Sequence, residues 1–225
     1  MSSCPVSHDS ASLGESSCPV IHGNNGTVEN NPLNNMPKVA EQSVWPGQAQ
    51  VLSTDRQIST IPKGEFTPIH QKTAGEEPTW VYPSEQQFYN AMKRKGWDAK
   101  EQDMPTVVAI HNAVNERTWI EVLKWEKKFH CECENPRLLK FMGRPKDLSP
   151  KARLMTWFGY TEPFDRHDWI VDRCGTEVRY IVDFYRGKPS SFGYPITFHV
   201  DARPALDSTE ALKDRIKMTL YELLF

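Results

Sequence analysis

The chain has 225 residues, 38% hydrophobic and 25% charged, and 27 Lys/Arg against 29 Asp/Glu leave a net charge of −2. That balance is ordinary for a globular protein and argues against general polyanion binding, so no nucleic-acid partner is expected. Apolar runs such as residues 107–110 end after a few positions, far short of the ~20 a spanning helix needs, which leaves only peripheral membrane attachment open.

The averages conceal a division after Pro78. Residues 1–78 carry 4 Lys/Arg, 8 Asp/Glu, 8 of the 17 prolines and two of the 24 aromatics, Trp45 and Phe66. So little aromatic surface cannot offset the entropy of ordering. Residues 1–78 are therefore expected to form a disordered arm and linker, and residues 79–225 one aromatic-rich domain. The arm repeats Ser3-Cys4-Pro5-Val6 as Ser17-Cys18-Pro19-Val20, and His8 and His22 each follow their cysteine by four positions. A thiolate is a soft metal ligand, and the following proline removes a backbone donor and favours an extended cysteine. Cys4-Pro5 and Cys18-Pro19 are thus candidate reversible ligands for haem iron. No Lys or Arg precedes Lys38, so neither a basic transit peptide nor a secretory signal is expected, and the cytosol is the default. Five cysteines, an odd number, argue against a complete disulfide framework.

In chain order, Ser84 and Gln87 form a capping box before the apolar positions Phe88, Ala91 and Met92, with Gly96 as a stop. Asp103 and Pro105 start a second helix that runs to about Val114. Asn115 caps a third, through Trp119, Val122, Leu123, Trp125 and Phe129. Ser149-Pro150 begins a short helix reaching Phe158. Residues 169–172 and 177–185 are β-branched and aromatic, with Cys174-Gly175-Thr176 between them, which predicts a hairpin. Residues 196–200 read as a third strand. Ser208 or Asp207 caps a final helix with Ala211, Leu212, Ile216, Leu220 and Leu223 on one face. The fold class is α+β, helices packed with a small antiparallel sheet.

Val107, Ile110, His111 and Val114 share a helical stripe, so His111 sits on an apolar face. It is either a satisfied core histidine or a neutral axial ligand for haem. In residues 164–169, Arg166 and the later Arg173 could pair with carboxylates, haem propionates included, and His167 between Asp165 and Asp168 could be held positive. The other reading is a structural ion-pair corner. His130, Cys131 and Cys133 resemble half a metal site, but a closed zinc site lacks its second pair. No phosphate loop, nucleophile elbow or His-Glu-x-x-His is present.

Several stretches together resemble the cytochrome c haem lyase (holocytochrome c-type synthase) family. They are Trp80-Val-Tyr-Pro-Ser-Glu-Gln86, Lys95-Gly-Trp97, Ile110-His111-Asn112, Leu123-Lys-Trp-Glu126 and Ser149-Pro150. The block Pro163-Phe-Asp-Arg-His-Asp-Trp-Ile170 through Arg173-Cys-Gly-Thr-Glu-Val-Arg-Tyr180 is the most specific, and Asp201-Ala-Arg-Pro-Ala-Leu-Asp-Ser208 completes the set. The resemblance implies covalent attachment of haem b, a co-substrate that leaves with the product. The partner would be the N-terminal segment of apocytochrome c, or of the membrane-anchored cytochrome of the bc complex, whose Cys-x-x-Cys-His thiols add to the haem vinyls. It places the iron ligand on His111, with Asn112 and Trp119 as cofactor contacts. Glu116 is a second catalytic candidate, for the helix junction or the incoming peptide, and His167 and Arg173 are propionate candidates. Cys4, Pro5, Cys18 and Pro19 correspond to haem regulatory motifs. The implied location is the mitochondrial intermembrane space, peripheral on the inner membrane, which replaces the cytosolic default. A non-catalytic haem sensor or apocytochrome chaperone is the alternative reading.

Overall fold

The computed structural model describes residues 41–64, 78–187 and 198–224. Cys4, Pro5, Cys18 and Pro19 lie outside the described residues. Strand β1 (Ile58–Pro62) pairs antiparallel with β2 (Thr79–Val81). Helix α1 (Glu85–Arg94) follows, then a single turn at Glu101–Asp103 that leads into α2 (Met104–Phe129). Strand β3 (Arg137–Gly143), helix α3 (Pro150–Trp157), strands β4 (Asp165–Arg173), β5 (Thr176–Arg186) and β6 (Phe198–Pro204), and helix α4 (Thr209–Leu224) complete the order. The second sheet runs β3-β4-β5-β6, every pair antiparallel, so the α+β expectation holds.

Local chemistry explains the element boundaries. Ser84 Oγ accepts from the Gln87 amide at 3.2 Å while Gln87 Oε1 accepts from the Ser84 amide at 2.9 Å, the reciprocal box that starts α1. Ser149 Oγ caps α3 by accepting from Ala152 N at 3.1 Å. The β4–β5 hairpin turns on two residues, Cys174 (φ 45°) and Gly175 (φ 96°), the left-handed pair that matches strand twist. Asp172 Oδ1 accepts from Gly175 N at 2.6 Å and secures the turn.

Three expectations are corrected. The predicted helices on either side of Asn115 are one continuous helix. Asn115 does not cap: its Nδ2 donates to the carbonyl of His111, one turn back, at 2.7 Å, so its side chain is used inside the helix. The linker reading fails for residues 41–64. Leu52, Ser59 and Ile61 are buried there, β1 pairs with β2, and Gly64 N donates to Leu138 O at 3.1 Å. Two isolated apolar residues and a backbone ladder suffice to dock this stretch, and neither leaves a periodic signal. The third predicted strand lies later than expected. β6 extends through Pro204, which an edge strand tolerates because one row of its donors needs no partner.

One face of the sheet is apolar and the other is charged. Trp169 and Val171 of β4, Tyr180, Val182 and Phe184 of β5 and Ala202 of β6 pack against Trp119 and Val122 of α2, with Trp80, Ile61 and Leu138 alongside. The opposite face carries Arg166, Asp168, Asp183 and Arg203, all buried. Asp168 accepts from Arg166 Nη2 at 3.0 Å and from Arg179 Nη1 at 2.8 Å. Arg203 Nη2 donates to Asp183 Oδ2 at 2.5 Å. Helix α3 covers this charged face through Ser149, whose Oγ donates to Asp183 Oδ2 at 2.6 Å and accepts from Arg203 Nη2 at 2.7 Å. Among the described residues no helix is long and apolar enough to cross a membrane.

Candidate functional site

The inward line of α2 runs His111, Asn115, Trp119, Val122 and Glu126, one residue per turn. From Trp119 onward that line is core. His111 continues it past the end of the packed region and is only half-buried. The ring of Phe88, from α1, meets His111 edge-on with centroids 5.0 Å apart, and Tyr82 does so at 6.0 Å. The imidazole is thereby held in an aromatic slot between Phe88 and Tyr82.

Hydrogen bonds settle which ring nitrogen is available. Asn112 Nδ2 donates to Gln57 Oε1 at 2.9 Å, which turns Asn112 Oδ1 toward His111 Nδ1, 3.2 Å away. Nδ1 therefore carries the proton, and Nε2 keeps its lone pair. That lone pair accepts from Asn115 Nδ2 at 3.2 Å, a neutral and exchangeable contact. Burial pushes the His111 pKa below the ordinary histidine value, outweighing the Asn112 hydrogen bond that raises it, and the nearby Lys95 ammonium acts in the same direction as burial. The residue is thus neutral near pH 7, with Nε2 able to accept a metal. This is the form of imidazole that ligates haem iron, so the residues present fit that group.

His167 stands on the same side of the fold, on the face of β4 that looks toward α2. Its ring lies 5.5 Å from Phe184, Phe184 lies 6.4 Å from Phe164, and Phe164 lies 5.8 Å from Phe198. Phe164 and Phe198 are exposed. The four rings make an aromatic wall that leads from the histidine pair to the surface. Gly143 faces His167: a Cβ there would sit 3.0 Å from His167 Nε2, so any larger residue would push the imidazole aside by a few tenths of an ångström. Lys95, the residue just past the end of α1 and one turn beyond Met92, has no ion-pair partner among the described residues.

The expected positive His167 is corrected. Strand alternation puts Asp168 on the opposite face, where it serves Arg166, Arg179 and Arg144. Only Asp165 remains near, 3.8 Å from Nε2, and burial pushes the His167 pKa below its ordinary value despite that carboxylate.

Two further assignments move from the cofactor to the framework. Trp119 is buried among Trp80, Trp169 and Tyr180, two turns from His111 and about 12 Å along the helix axis. Arg173 donates through Nε and Nη2 to the two oxygens of Glu126, at 2.7 and 2.9 Å, and Tyr180 OH shares Glu126 Oε1. Glu126 is fifteen residues beyond His111, about 22 Å along α2, so one macrocycle on His111 does not bridge to Arg173. Glu116 is a clamp: Thr60 N at 3.0 Å, Tyr82 OH at 2.9 Å and the Thr60 hydroxyl all donate to it. It ties β1 and Tyr82 to α2 and so positions one wall of the His111 slot. Cys133 is joined to Cys174 in a disulfide, His130 Nε2 is 2.7 Å from Asp214, and Cys131 is free and exposed. No cluster of three or more His, Cys, Asp or Glu side chains placed to hold a metal ion occurs among the described residues.

Sequence reading missed Tyr82, Phe88, Asn115, Gln57 and Gly143. Only Asn115 carried a signal, its i+4 spacing from His111. The others reach the site from elements that no periodicity connects to α2.

The model of the family "Cytochrome c/c1 heme lyase" matches residues 1–219. The chain is 44% identical over 207 residues to the holocytochrome c-type synthase of Homo sapiens, covering 89% of this chain and 73% of that protein. It is 44% identical over 250 residues to the holocytochrome-c synthase of Saccharomyces cerevisiae, covering all of this chain and 88% of that protein. It is 49% identical over 157 residues to a putative holocytochrome-c1 synthase of Schizosaccharomyces pombe, covering 69% and 70%. No solved structure matches. These relatives do not favour the reading as a non-catalytic sensor or chaperone. The chain belongs to the cytochrome c/c1 haem lyase family.

Proposed function

We propose that this haem lyase joins haem b to the Cys-x-x-Cys-His segment of an apocytochrome c, or of the membrane-anchored c-type cytochrome, with His111 as one axial ligand of the iron. The observation that carries the reading is the neutral His111 Nε2, oriented by Asn112 and Gln57 at the end of an aromatic slot. Haem b has the two vinyl groups that two thioethers require. The histidine of the substrate segment supplies the opposite axial ligand and brings its two thiols beside the vinyls. Each thiol then adds across one vinyl: a C–S bond forms, the proton goes to the neighbouring vinyl carbon, and nothing leaves.

The chain need not supply a nucleophile, because the substrate brings both. Its contribution is positioning, an effect worth up to about 7–11 kcal/mol when two reactants are fully oriented. His111 sets the iron, the wall from His167 to Phe198 supports one face or edge of the ring, and Lys95 stands ready for an anionic group. Release follows when the finished cytochrome binds the iron more strongly than His111 does.

The same reading places the protein in the mitochondrial intermembrane space, attached peripherally to the inner membrane. It also assigns the Cys4-Pro5 and Cys18-Pro19 repeats to reversible haem binding outside the catalytic step. The test is co-expression with soluble and membrane-anchored apocytochromes, scored by haem that stays on the cytochrome after denaturation. His111→Ala is expected to abolish that signal and the Soret band of the purified lyase. Retention of both would show that His111 is not the ligand.

A further inference from the structure

Two helices of this fold are turned inside out. On α3 the inward positions are Ser149, Ala152 and Thr156. Ser149 and Ala152 are fully buried on the charged back of the sheet, and the Thr156 hydroxyl is buried as well. The outward positions are Leu154 (51% exposed), Trp157 (80%) and Phe158 (66%), followed by Tyr160 (61%). On α4 the inward positions are Ala211 and Asp214, and Asp214 is committed to His130. The outward stripe is Leu212, Ile216, Leu220 and Leu223, between 48% and 80% exposed. The stripe expected from the sequence exists, but it faces solvent.

The two helices share one side of the molecule. Asp201 accepts from Lys151 of α3 at 2.6 Å and pairs with Arg203. Arg215 of α4 lies within electrostatic range of the same Asp201 and Arg203. Helix α3 therefore lies on the charged back of the sheet and α4 beside the edge strand β6, where its inner side also meets the C-terminal end of α2 (Lys217 over the Phe129 ring at 5.7 Å, Lys128 over the Tyr221 ring), while His111 lies far along α2 on the front.

We propose that the outward faces of α3 and α4 form one surface that rests on an anionic phospholipid bilayer. The charge pattern selects this occupant. The outward side of α4 from Leu212 to Leu220 presents Lys213 and no carboxylate, since Asp214 is turned inward, and Lys217 flanks it with its ammonium 5.7 Å from the Phe129 ring. Arg153 flanks the apolar residues of α3, and neither it nor Lys213 has an ion-pair partner among the described residues. Apolar side chains that enter the headgroup boundary, aromatic residues at its edge and lysines that reach up to lipid phosphates make an interfacial surface. A water-facing surface would reverse the two faces of each helix. The proposal rests on the peripheral attachment proposed above and adds its geometry: the back of the sheet meets the lipid, and His111 faces the aqueous side, where an apocytochrome arrives.

Co-sedimentation of the full chain with vesicles tests this. Phosphatidylcholine vesicles containing phosphatidylglycerol are expected to bind the protein, and pure phosphatidylcholine or high salt to weaken binding. The variants Trp157→Ser/Phe158→Ser and Ile216→Ser/Leu220→Ser are each expected to lose about tenfold or more in vesicle affinity. Their melting and the haem Soret band are expected to stay unchanged, because these residues are exposed and remote from His111. If the parent chain fails to bind either vesicle, peripheral attachment itself is wrong. If it binds and both variants bind equally well, attachment stands and this surface is wrong. A shift from dimer to monomer in the variants, without vesicle binding, would make the surface an interface between copies and would overturn the proposal.

Discussion

Arg173 and Glu126 meet in a two-point ion pair inside the core, Nε to Oε2 at 2.7 Å and Nη2 to Oε1 at 2.9 Å, with both side chains almost fully buried. The pair joins the end of β4 to the C-terminal half of α2, and Tyr180 from β5 completes it. Removing one partner leaves the other charge buried without compensation. Arg173→Met is therefore expected to destabilise the fold by about 3–5 kcal/mol. Chemical denaturation measures this directly. At temperatures where the variant remains folded, the haem absorbance is expected to be that of the parent protein. A changed Soret band in a folded variant would mean that Arg173 touches the cofactor.

With His111 as the proposed iron ligand, Asn112 would act on haem only through His111. Asn112→Ala removes the acceptor that holds the Nδ1 proton and frees the imidazole to turn. Loss of such a ligand-orienting contact is expected to weaken haem binding by about 10–100-fold. The Soret position of the saturated variant should stay that of a histidine-ligated iron. Titration of the apo-protein with haem gives both quantities. A shifted Soret at saturation would place Asn112 in direct contact with the iron.

Glu116 holds three donors from two elements. Glu116→Gln keeps the shape but replaces a charged acceptor, and it is expected to cost about 2 kcal/mol of stability. Gln keeps one accepting oxygen for Tyr82 OH and Thr60 N, but its amide nitrogen cannot accept from the Thr60 hydroxyl, so the slot loosens and haem affinity is expected to fall with it. The burial and the neighbouring carboxylate that raise the Tyr82 pKa are both at work here. Glu116→Gln should therefore lower the pH at which Tyr82 ionises, readable in the ultraviolet absorbance. An unchanged tyrosine titration would show that the Tyr82–Glu116 bond does not form in solution.

His111 and His167 both have pKa values pushed below the ordinary histidine value of about 6.5, chiefly by burial. The unfolded chain therefore binds more protons than the folded one at mildly acid pH. Stability is then full above about pH 6.5 and declines as pH falls through the folded-state values. Denaturation midpoints measured from pH 8 to pH 5 should fall at the acid end, and by less in His111→Phe, which cannot take up that proton. A midpoint that rises on acidification would contradict the burial of these imidazoles.

The disulfide between Cys133 and Cys174 closes a loop of 41 residues between the loop after α2 and the β4–β5 turn. Cross-linking a loop of that length restricts the unfolded chain by about 4 kcal/mol. Cys133→Ser is expected to lose stability of that order. Added reductant should destabilise the parent chain and leave the variant unaffected. Equal sensitivity of both to reductant would exclude the bond.

Much of this molecule is written in short-range chemistry. The Ser84–Gln87 box, the Ser149 cap and the Cys174-Gly175 turn each depend on residues within four positions, and each forms where local propensity puts it. His111 was visible for the same reason: a polar ring on an apolar stripe breaks the helical pattern, and the flanking stretches carry the family resemblance. What surrounds His111 is not local. Phe88 comes from α1, His167 from β4, Gln57 from just before β1 and Tyr82 from just after β2, and only the packing of these segments against α2 brings them together. Tertiary structure also separated residues that looked alike on paper. Arg166 and Arg173 seemed available to propionates, and burial committed both to ion pairs. The apolar stripe of α4 looked like any core-facing stripe, because periodicity reports that a face exists and not what covers it. Its direction was decided by Asp214, which pairs with the buried His130 and so turns the leucines outward.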